Sequence, residues 1–244
     1  MNEWVENSYL LASNRQFVIS PDLNRWEEAW NFGANLSSNL EIGGKNLSVN
    51  LDWYYTRFIK QVVADLEQAH EVRFYNLEGR SYAQSAQLEM SYPFFRGFTF
   101  TGAFRFTDVK TTYSGVLREK PLTSRYKAMA TASYQTRLKK WQFDLTAAVN
   151  GPGRMPDPDM NVADESLRWK KNYKAYILLN AQVTKNFRTW SVYAGGENLT
   201  NYKQKNPIID ASNPWGAHFD ASMIYAPVHG AKFYVGIRWN IPKY

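Results

Sequence analysis

The sequence predicts an all-β protein, an antiparallel transmembrane β-barrel domain filling residues 1–244, with about ten strands present. Three observations carry that expectation. Apolar and polar side chains alternate at period two along most of the chain, which is how a strand with two different environments on its faces is written. The alternating stretches run for roughly nine to fifteen residues, against about five or six for an ordinary soluble strand, and nine or more is what a tilted strand needs to cross a bilayer. Charged residues, finally, keep to the polar side: Asp52, Glu89, Arg105, Lys127, Asp144, Lys174, Glu197, Lys232 and Arg238 all fall there, and in the segment from Tyr173 to Phe187 only Leu178 and Lys185 depart from the alternation. A soluble β-sandwich also alternates, but neither strand length nor charge segregation is required of it.

Composition narrows the field further. The 244 residues contain no cysteine, which excludes disulfide scaffolds, thiolate zinc sites, iron–sulfur clusters and cysteine nucleophiles. No run approaches the ~18 apolar residues of a spanning helix. Aromatic residues make up 16% of the chain and charged residues only 21%, a mixture suited to a surface that is not simply water. The formal charge of +7 comes without a basic tract, so no nucleic-acid partner is expected. Met1-Asn2-Glu3-Trp4-Val5-Glu6 is acidic and lacks an apolar segment of about 7 to 15 residues, so it does not read as a secretory signal. An internal part of a longer protein, or a chain without its signal, is the expectation.

In order, the predicted strands are Tyr9–Ile19, Ala29–Leu40, Lys45–Ala64, Val72–Tyr92, Phe98–Lys110, Leu122–Leu138, Trp141–Asn150, Tyr173–Lys185, Trp190–Leu199 and Ala231–Ile241. The second sets Trp30, Phe32, Ala34, Leu36 and Leu40 against Asn31, Gly33, Asn35, Ser37 and Asn39, and the third sets Leu47, Val49, Leu51 and Trp53 against Asn46, Ser48, Asn50 and Asp52. Tyr173, Ala175, Ile177, Leu179, Ala181 and Val183 form the apolar side of the eighth. Connections alternate between short (Glu41–Gly44, Pro93–Gly97, Lys139–Lys140, Lys185–Asn186) and long (Asp65–Glu71, Asp108–Pro121, Gly151–Asn172, Thr200–Gly230), as in barrels with short periplasmic turns and long extracellular loops. Trp141, Trp190, Phe98, Tyr92, Phe187 and Trp239 fall near the short-turn ends, where an aromatic girdle belongs.

Two segments then bring a family into view. Gly195-Gly196-Glu197-Asn198-Leu199-Thr200-Asn201-Tyr202 resembles the penultimate-strand signature of TonB-dependent outer-membrane receptors, with Thr200 where that family usually has Phe, and Phe233-Tyr234-Val235-Gly236-Ile237-Arg238-Trp239 resembles their final strand. Asp52-Trp53-Tyr54-Tyr55, Phe74-Tyr75-Asn76-Leu77-Glu78-Gly79 and Glu119-Lys120-Pro121-Leu122 resemble late strands and loops in the same order. The resemblance implies a C-terminal portion of a 22-stranded barrel, without its plug, located in the bacterial outer membrane. Its implied partners are outer-membrane lipid, the missing N-terminal barrel half and plug, TonB only through that missing part, and a scarce large solute such as a chelated metal, cobalamin or glycan. A self-contained passive barrel, porin-like or adhesive, is the alternative.

Candidate solute contacts are the loop residues Arg154, Trp169, Tyr202, Trp215 and His218, because binding residues concentrate on loops held by a rigid scaffold. Glu89, Arg105, Asp144, Lys174 and Arg238 are the expected lumen-facing charges. Neither a metal site nor any cofactor is expected. Asp157, Asp159 and Asn161 have calcium-loop spacing, but Val162 and Arg168 stand where Gly and Glu would be needed. His70, His218 and His229 show no ligand spacing. No catalytic residue is expected either, since the chain has no Gly-x-Ser-x-Gly elbow and no Ser/His pair singled out by spacing.

Overall fold

A computed structural model describes residues 15–68, 70–158 and 165–239. Its strands are β1 (Gln16–Ile19), β2 (Glu28–Ile42), β3 (Lys45–Lys60), β4 (Val62–Asp65), β5 (Glu71–Asn76), β6 (Ser81–Phe95), β7 (Phe98–Tyr113), β8 (Val116–Glu119), β9 (Tyr126–Gln135), β10 (Trp141–Asn150), β11 (Gly153–Arg154), β12 (Asn172–Tyr173), β13 (Tyr176–Asn186), β14 (Trp190–Glu197) and β15 (Lys232–Trp239). Nine lie side by side in the order β2-β3-β6-β7-β9-β10-β13-β14-β15, each antiparallel to its neighbours, and β8 folds back onto the end of β7. No described helix is long and apolar enough to cross a membrane.

Register turns the alternation in the sequence into two continuous surfaces. Leu36, Leu51, Leu88, Phe104, Ala128, Val149 and Ile177 stand in one row across seven strands. The adjacent row, Asn35, Asp52, Gln87, Arg105, Lys127 and Asn150, lies on the opposite face. Within it Asn35 donates to the Asp52 carboxylate at 2.6 Å and Arg105 donates to Gln87 at 2.8 Å. The apolar surface is not packed against anything: Leu36, Phe104, Phe143 and Ile237 are 64%, 48%, 42% and 71% exposed. A soluble sandwich would bury those residues together, so the apolar face is the one that meets hydrocarbon.

Lys185, the departure from charge segregation, lies on the apolar face opposite Trp141, and its ammonium sits 4.2 Å from the Trp141 ring centre. Its position at the short-turn end of β13, among Trp141, Phe187 and Trp190, makes this tolerable, because a lysine there reaches the head-group layer.

Several predicted boundaries are corrected. The first predicted strand does not join the wall. Its residues 9–14 lie outside the described residues, and Gln16–Ile19 pairs parallel to β5 in a separate three-stranded sheet with β4. Arg15 draws the chain there, bonded to Asp220 at 2.8 Å and to the carbonyls of Leu66, Gln68 and Glu71. The predicted strands Lys45–Ala64 and Val72–Tyr92 each break where the chain leaves the apolar belt: the Leu77 N–H donates to the Gln61 carbonyl at 2.8 Å, and β4 and β5 pair with each other above that closure. Gly79 permits the re-entry. Its φ is +123°, and a Cβ there would lie 2.7 Å from Thr112 Oγ1.

The predicted loop Asp108–Pro121 begins as strand. β7 runs on to Tyr113 and turns at Ser114-Gly115 into β8, because backbone pairing needs no apolar belt. The segment Leu122–Leu138 is strand only over β9 and ends in a 3₁₀ turn at Arg137–Lys139. Lys185 and Asn186 are strand, and the turn lies at residues 187–189, closed by the Phe187 N–H donating to the Trp190 carbonyl.

Arginine at the middle of the apolar face should be costly and on the opposite face mild. Phe104→Arg is expected to lose about 2 to 4 kcal/mol of folding free energy in a bilayer, and Ser85→Arg on the polar face less than about 1. Refolding into lipid vesicles, read from heat-modifiable migration, checks the contrast.

Candidate functional site

Packed interior occurs where the long connections gather. Val62, Leu66, Val72 and Phe74 form one buried cluster under the β4–β5 hairpin, and Met155, Tyr173 and Met223 form another between the two longest loops. Between these clusters lies a buried ionic clasp. Glu67, its side chain 3% exposed, accepts from Arg154 at 2.5 Å and from the Asp157 N–H at 2.8 Å, with Arg118 at 3.7 Å. Asp65 beside it accepts from the Glu67 N–H at 2.8 Å, the Tyr75 hydroxyl at 2.8 Å and the Ser114 hydroxyl at 3.3 Å. Burial and the Asp65 carboxylate hold the Tyr75 phenol well above its usual range, and burial does the same for Tyr113, over which Arg154 lies at 5.8 Å. Both phenols therefore stay neutral and available as donors. Three separate excursions, β4–β5, β7–β8 and residues 151–172, are tied by this one network.

A cavity of about 900 Å³ opens between the segments 165–175 and 202–212. Its aromatic lining comes from Trp169, Tyr173, Tyr202 and Tyr225, and its charge among the described residues from Lys170, Lys174, Lys203 and Lys205 with Asp210, beside Arg168, which is paired to Glu165 at 3.5 Å. The tyrosines are paired ring on ring, Tyr173 with Tyr225 at 4.3 Å and Tyr202 with Tyr176 at 4.8 Å. Burial raises the phenols of Tyr173 and Tyr225, so they too remain neutral. Flat, wide walls with neutral donors and four lysines are chemically matched to a bulky anion.

The signature segment explains how Tyr202 reaches this wall. Asn198 (φ +52°) and Asn201 (φ +51°) adopt left-handed backbone, which asparagine tolerates better than most residues. The Asn198 side chain accepts from the Tyr202 N–H at 3.0 Å and donates to the Tyr202 carbonyl at 2.8 Å. The Asn198 N–H donates to the Asn180 side chain at 2.9 Å. The turn thus ends β14 and fixes Tyr202 against the start of β13.

The expected site residues have different fates. Trp169 and Tyr202 line the cavity together, with Lys174 on the same rim, and the Trp169 indole N–H is held by the Pro156 carbonyl at 2.9 Å. Arg154 is occupied by Glu67, by the Glu119 carbonyl at 2.8 Å and by the Met155 carbonyl, so it holds the loops rather than facing the cavity. Trp215 is 96% exposed and away from the lining. His218 lies next to His70, ring centres 5.9 Å apart, with its Nδ1 buried and without a hydrogen-bond partner among the described residues. Glu89, Arg105, Asp144 and Arg238 occupy the polar face of β6, β7, β10 and β15, where Asp144 accepts from Ser133 at 2.6 Å and Arg238 lies 5.9 Å over Tyr193. Lys174 falls in the irregular gap between β12 and β13. Tyr173 is not on the lipid side: β12 pairs with β11 instead of continuing β13, which turns Tyr173 into the loop core. Sequence reading passed over Tyr225, Arg168, Lys170, Lys203 and Lys205, whose signal was the coupling of lysine to tyrosine in Lys170-Lys171-Asn172-Tyr173-Lys174 and Tyr202-Lys203-Gln204-Lys205.

An antiparallel wall with an unpacked apolar face, short turns at one end and a structured loop layer at the other defines a transmembrane β-barrel of the bacterial outer membrane. The family model described as "TonB dependent receptor-like, beta-barrel" matches residues 6–199, and the chain belongs to that family. The family is one of receptors and transporters, not of enzymes. No curated protein matches the chain in sequence.

Among solved structures the chain is similar to the copper transporter OprC (TM-score 0.65, 13% identity, 88% of this chain and 31% of that one). It is similar also to the FrpB iron transporter of Neisseria meningitidis (0.60, 13%, 93% and 34%) and to the ferric enterobactin receptor PfeA of Pseudomonas aeruginosa (0.55, 12%, 86% and 31%). The chain spans about a third of the length of these structures.

Removing one side of the clasp should loosen the loops and leave the wall. Glu67→Ala uncovers Arg154 in a nearly dry setting, so a loss of roughly 3 to 5 kcal/mol from the loop layer is expected. Limited proteolysis should then cut within residues 61–80 and 151–172, with heat-modifiable migration unchanged.

Proposed function

We propose that this chain is the C-terminal barrel segment of an energy-coupled outer-membrane receptor that captures a scarce, large solute at its extracellular loops and admits it past a displaceable plug carried elsewhere in the receptor. The plug and the strands completing the wall are partners in that reading, as is TonB, which acts through the part bearing the plug. The cavity between segments 165–175 and 202–212 carries the reading. Its four lysines and four aromatic rings favour an anionic metal chelate over cobalamin or a neutral glycan. The solved structures similar in fold are described as transporters or receptors of copper, iron and ferric enterobactin, which supports the same solute class.

In this proposal Trp169 and Tyr202 touch the solute and Lys174 offsets its charge, while Trp215 stays exposed outside the lining. Arg154 and His218 hold the loops behind the rim. Glu89, Arg105, Asp144 and Arg238 face the lumen, where they meet water or the plug. A passive ten-stranded pore fits less well, because among the described residues β2 and β15 each have one partner and the wall does not close on itself.

Solute capture by the complete receptor tests this. Trp169→Ala or Tyr202→Ala should weaken binding of a ferric catecholate about ten-fold, the effect of about 1.4 kcal/mol of lost stacking and burial. Lys174→Glu should weaken it further, and more so at low ionic strength. Titration calorimetry against a panel of ferric chelates, cobalamin and oligosaccharides decides. Binding of a neutral glycan with no response to Lys174→Glu would overturn the chelate assignment.

A further inference from the structure

Charge is handled differently at the two ends of the wall. At the loop ends of the strands, several basic residues pair with carboxylates: Lys60 lies 3.1 Å from Glu28, Lys110 3.5 Å from Asp108 and Arg125 3.0 Å from Glu119. At the short-turn end, the neighbouring β9–β10 and β13–β14 turns and their flanks carry Arg137, Lys139, Lys140, Lys185 and Arg188. Residues 136–143 and 183–190 contain no carboxylate, and none of the five cations has an ion pair among the described residues. The other two short turns differ. Glu41 and Lys45 flank one, and Arg96 stands alone in the other.

The fold gathers these cations on one lip. Lys185 is the register partner of Trp141. The Asn186 N–H donates to the Lys140 carbonyl at 2.8 Å, and its side-chain amide donates to the Lys139 carbonyl at 2.8 Å. The two turns are therefore laced together. Leu138 (φ +64°), between Arg137 and Lys139, is 83% exposed, and Arg137, Lys139, Lys140 and Arg188 are exposed too. Directly alongside on the lipid-facing surface stand Trp141, the stacked pair Phe187 and Trp190 at 4.0 Å, and Trp239, the register partner of Trp190. Indoles of this kind sit at head-group depth, and uncompensated lysines and arginines one turn beyond them meet phosphate.

We propose that this lip is a binding surface for an anionic phospholipid of the periplasmic leaflet. Its phosphodiester lies among Lys139, Lys140 and Arg188, and its glycerol and upper acyl chain lie against Trp141 and Trp190. Lipid is favoured over an acidic protein partner because the patch is continuous with the apolar outer face and because Lys185 lies on that face against Trp141. The effect of each cation near an anionic membrane surface is about five-fold in association, so three together give on the order of a hundred-fold, reduced by salt. The inference rests on the membrane orientation of the family and not on the solute.

The test places the complete receptor in phosphatidylcholine nanodiscs containing spin-labelled phosphatidylglycerol or spin-labelled phosphatidylcholine, and reads the motionally restricted fraction by electron paramagnetic resonance. The native receptor should hold phosphatidylglycerol at least about ten-fold more strongly than phosphatidylcholine, and raised ionic strength should erase that preference without any variant. Lys139→Glu, Lys140→Glu and Arg188→Glu combined should abolish it, while Arg57→Glu at the loop end should leave it intact; heat-modifiable migration confirms that each variant is folded. Equal retention of the two lipids by the native receptor, or a preference that survives the triple variant, overturns the proposal. So does capture of poly-glutamate without lipid preference, which would make the lip a protein-docking surface.

Discussion

Hydrocarbon offers no partner to a peptide N–H or C=O, and this one constraint organises the wall. Each strand inside the belt must give its polar backbone to a neighbour, which leaves side chains to meet lipid on one face and water on the other. The row from Leu36 to Ile177 and the row from Asn35 to Asn150 are the two results of a single ladder. The usual order of a globular protein is reversed as a consequence. Large apolar residues lie outside, and hydrogen-bonded polar residues such as Asn35, Asp52, Gln87 and Arg105 lie within.

Beyond the belt that constraint lapses, and the loop layer folds by other means. Water is available there, so stability comes from small dry clusters around Val72 and Met223 and from a buried carboxylate that joins three excursions. The segment from Thr200 to Gly230 has no described strand of its own beyond the bridge of Ile209 with Asp220. It is held by Gln204, whose side chain donates to the Met223 carbonyl at 2.8 Å and accepts from the N–H groups of Tyr225 and Ala226, and by Asp220 on Arg15. A loop so anchored presents its rings at little further cost in ordering, which is the condition for tight capture by an irregular segment.

Legibility in the sequence follows the same division. The wall was readable because lipid imposes period two over long stretches, and a shift of one residue would turn every Leu and Phe of a strand to the wrong side. Fold similarity at 13% identity or less to OprC, FrpB and PfeA has the same origin, since many residues satisfy the pattern. Beyond the belt the alternation stops carrying information. Asp108 and Lys110 continue β7 with polar residues on its outer side, and Val62 and Val63, an apolar run that looks like the end of a wall strand, belong to a separate hairpin. Gln16–Ile19 was read into the wall because nothing local reveals that Asp220, 205 positions away, anchors Arg15. Trp169 and Tyr202 could be singled out as aromatic loop residues, but their meeting depends on the Asn198 turn and on β12 parting from β13. Arg154 could be singled out as well, without any sign that Glu67 would occupy it.

The inner face bears on how wide the completed wall must be. Eight-stranded barrels fill their interior with side chains meeting across the axis. Here Tyr54 lies over Gly33 of the neighbouring strand, Tyr234 donates to Gln182 at 2.9 Å, and Arg238 lies over Tyr193 of the adjacent strand. These large residues are satisfied along the sheet by neighbours one or two strands away, and none of them needs a partner from across a narrow bore. A surface that saturates its own polar groups laterally suits a wide lumen. Among the described residues β2 and β15 each pair with one neighbour, and in hydrocarbon such an edge must find a further partner for its backbone.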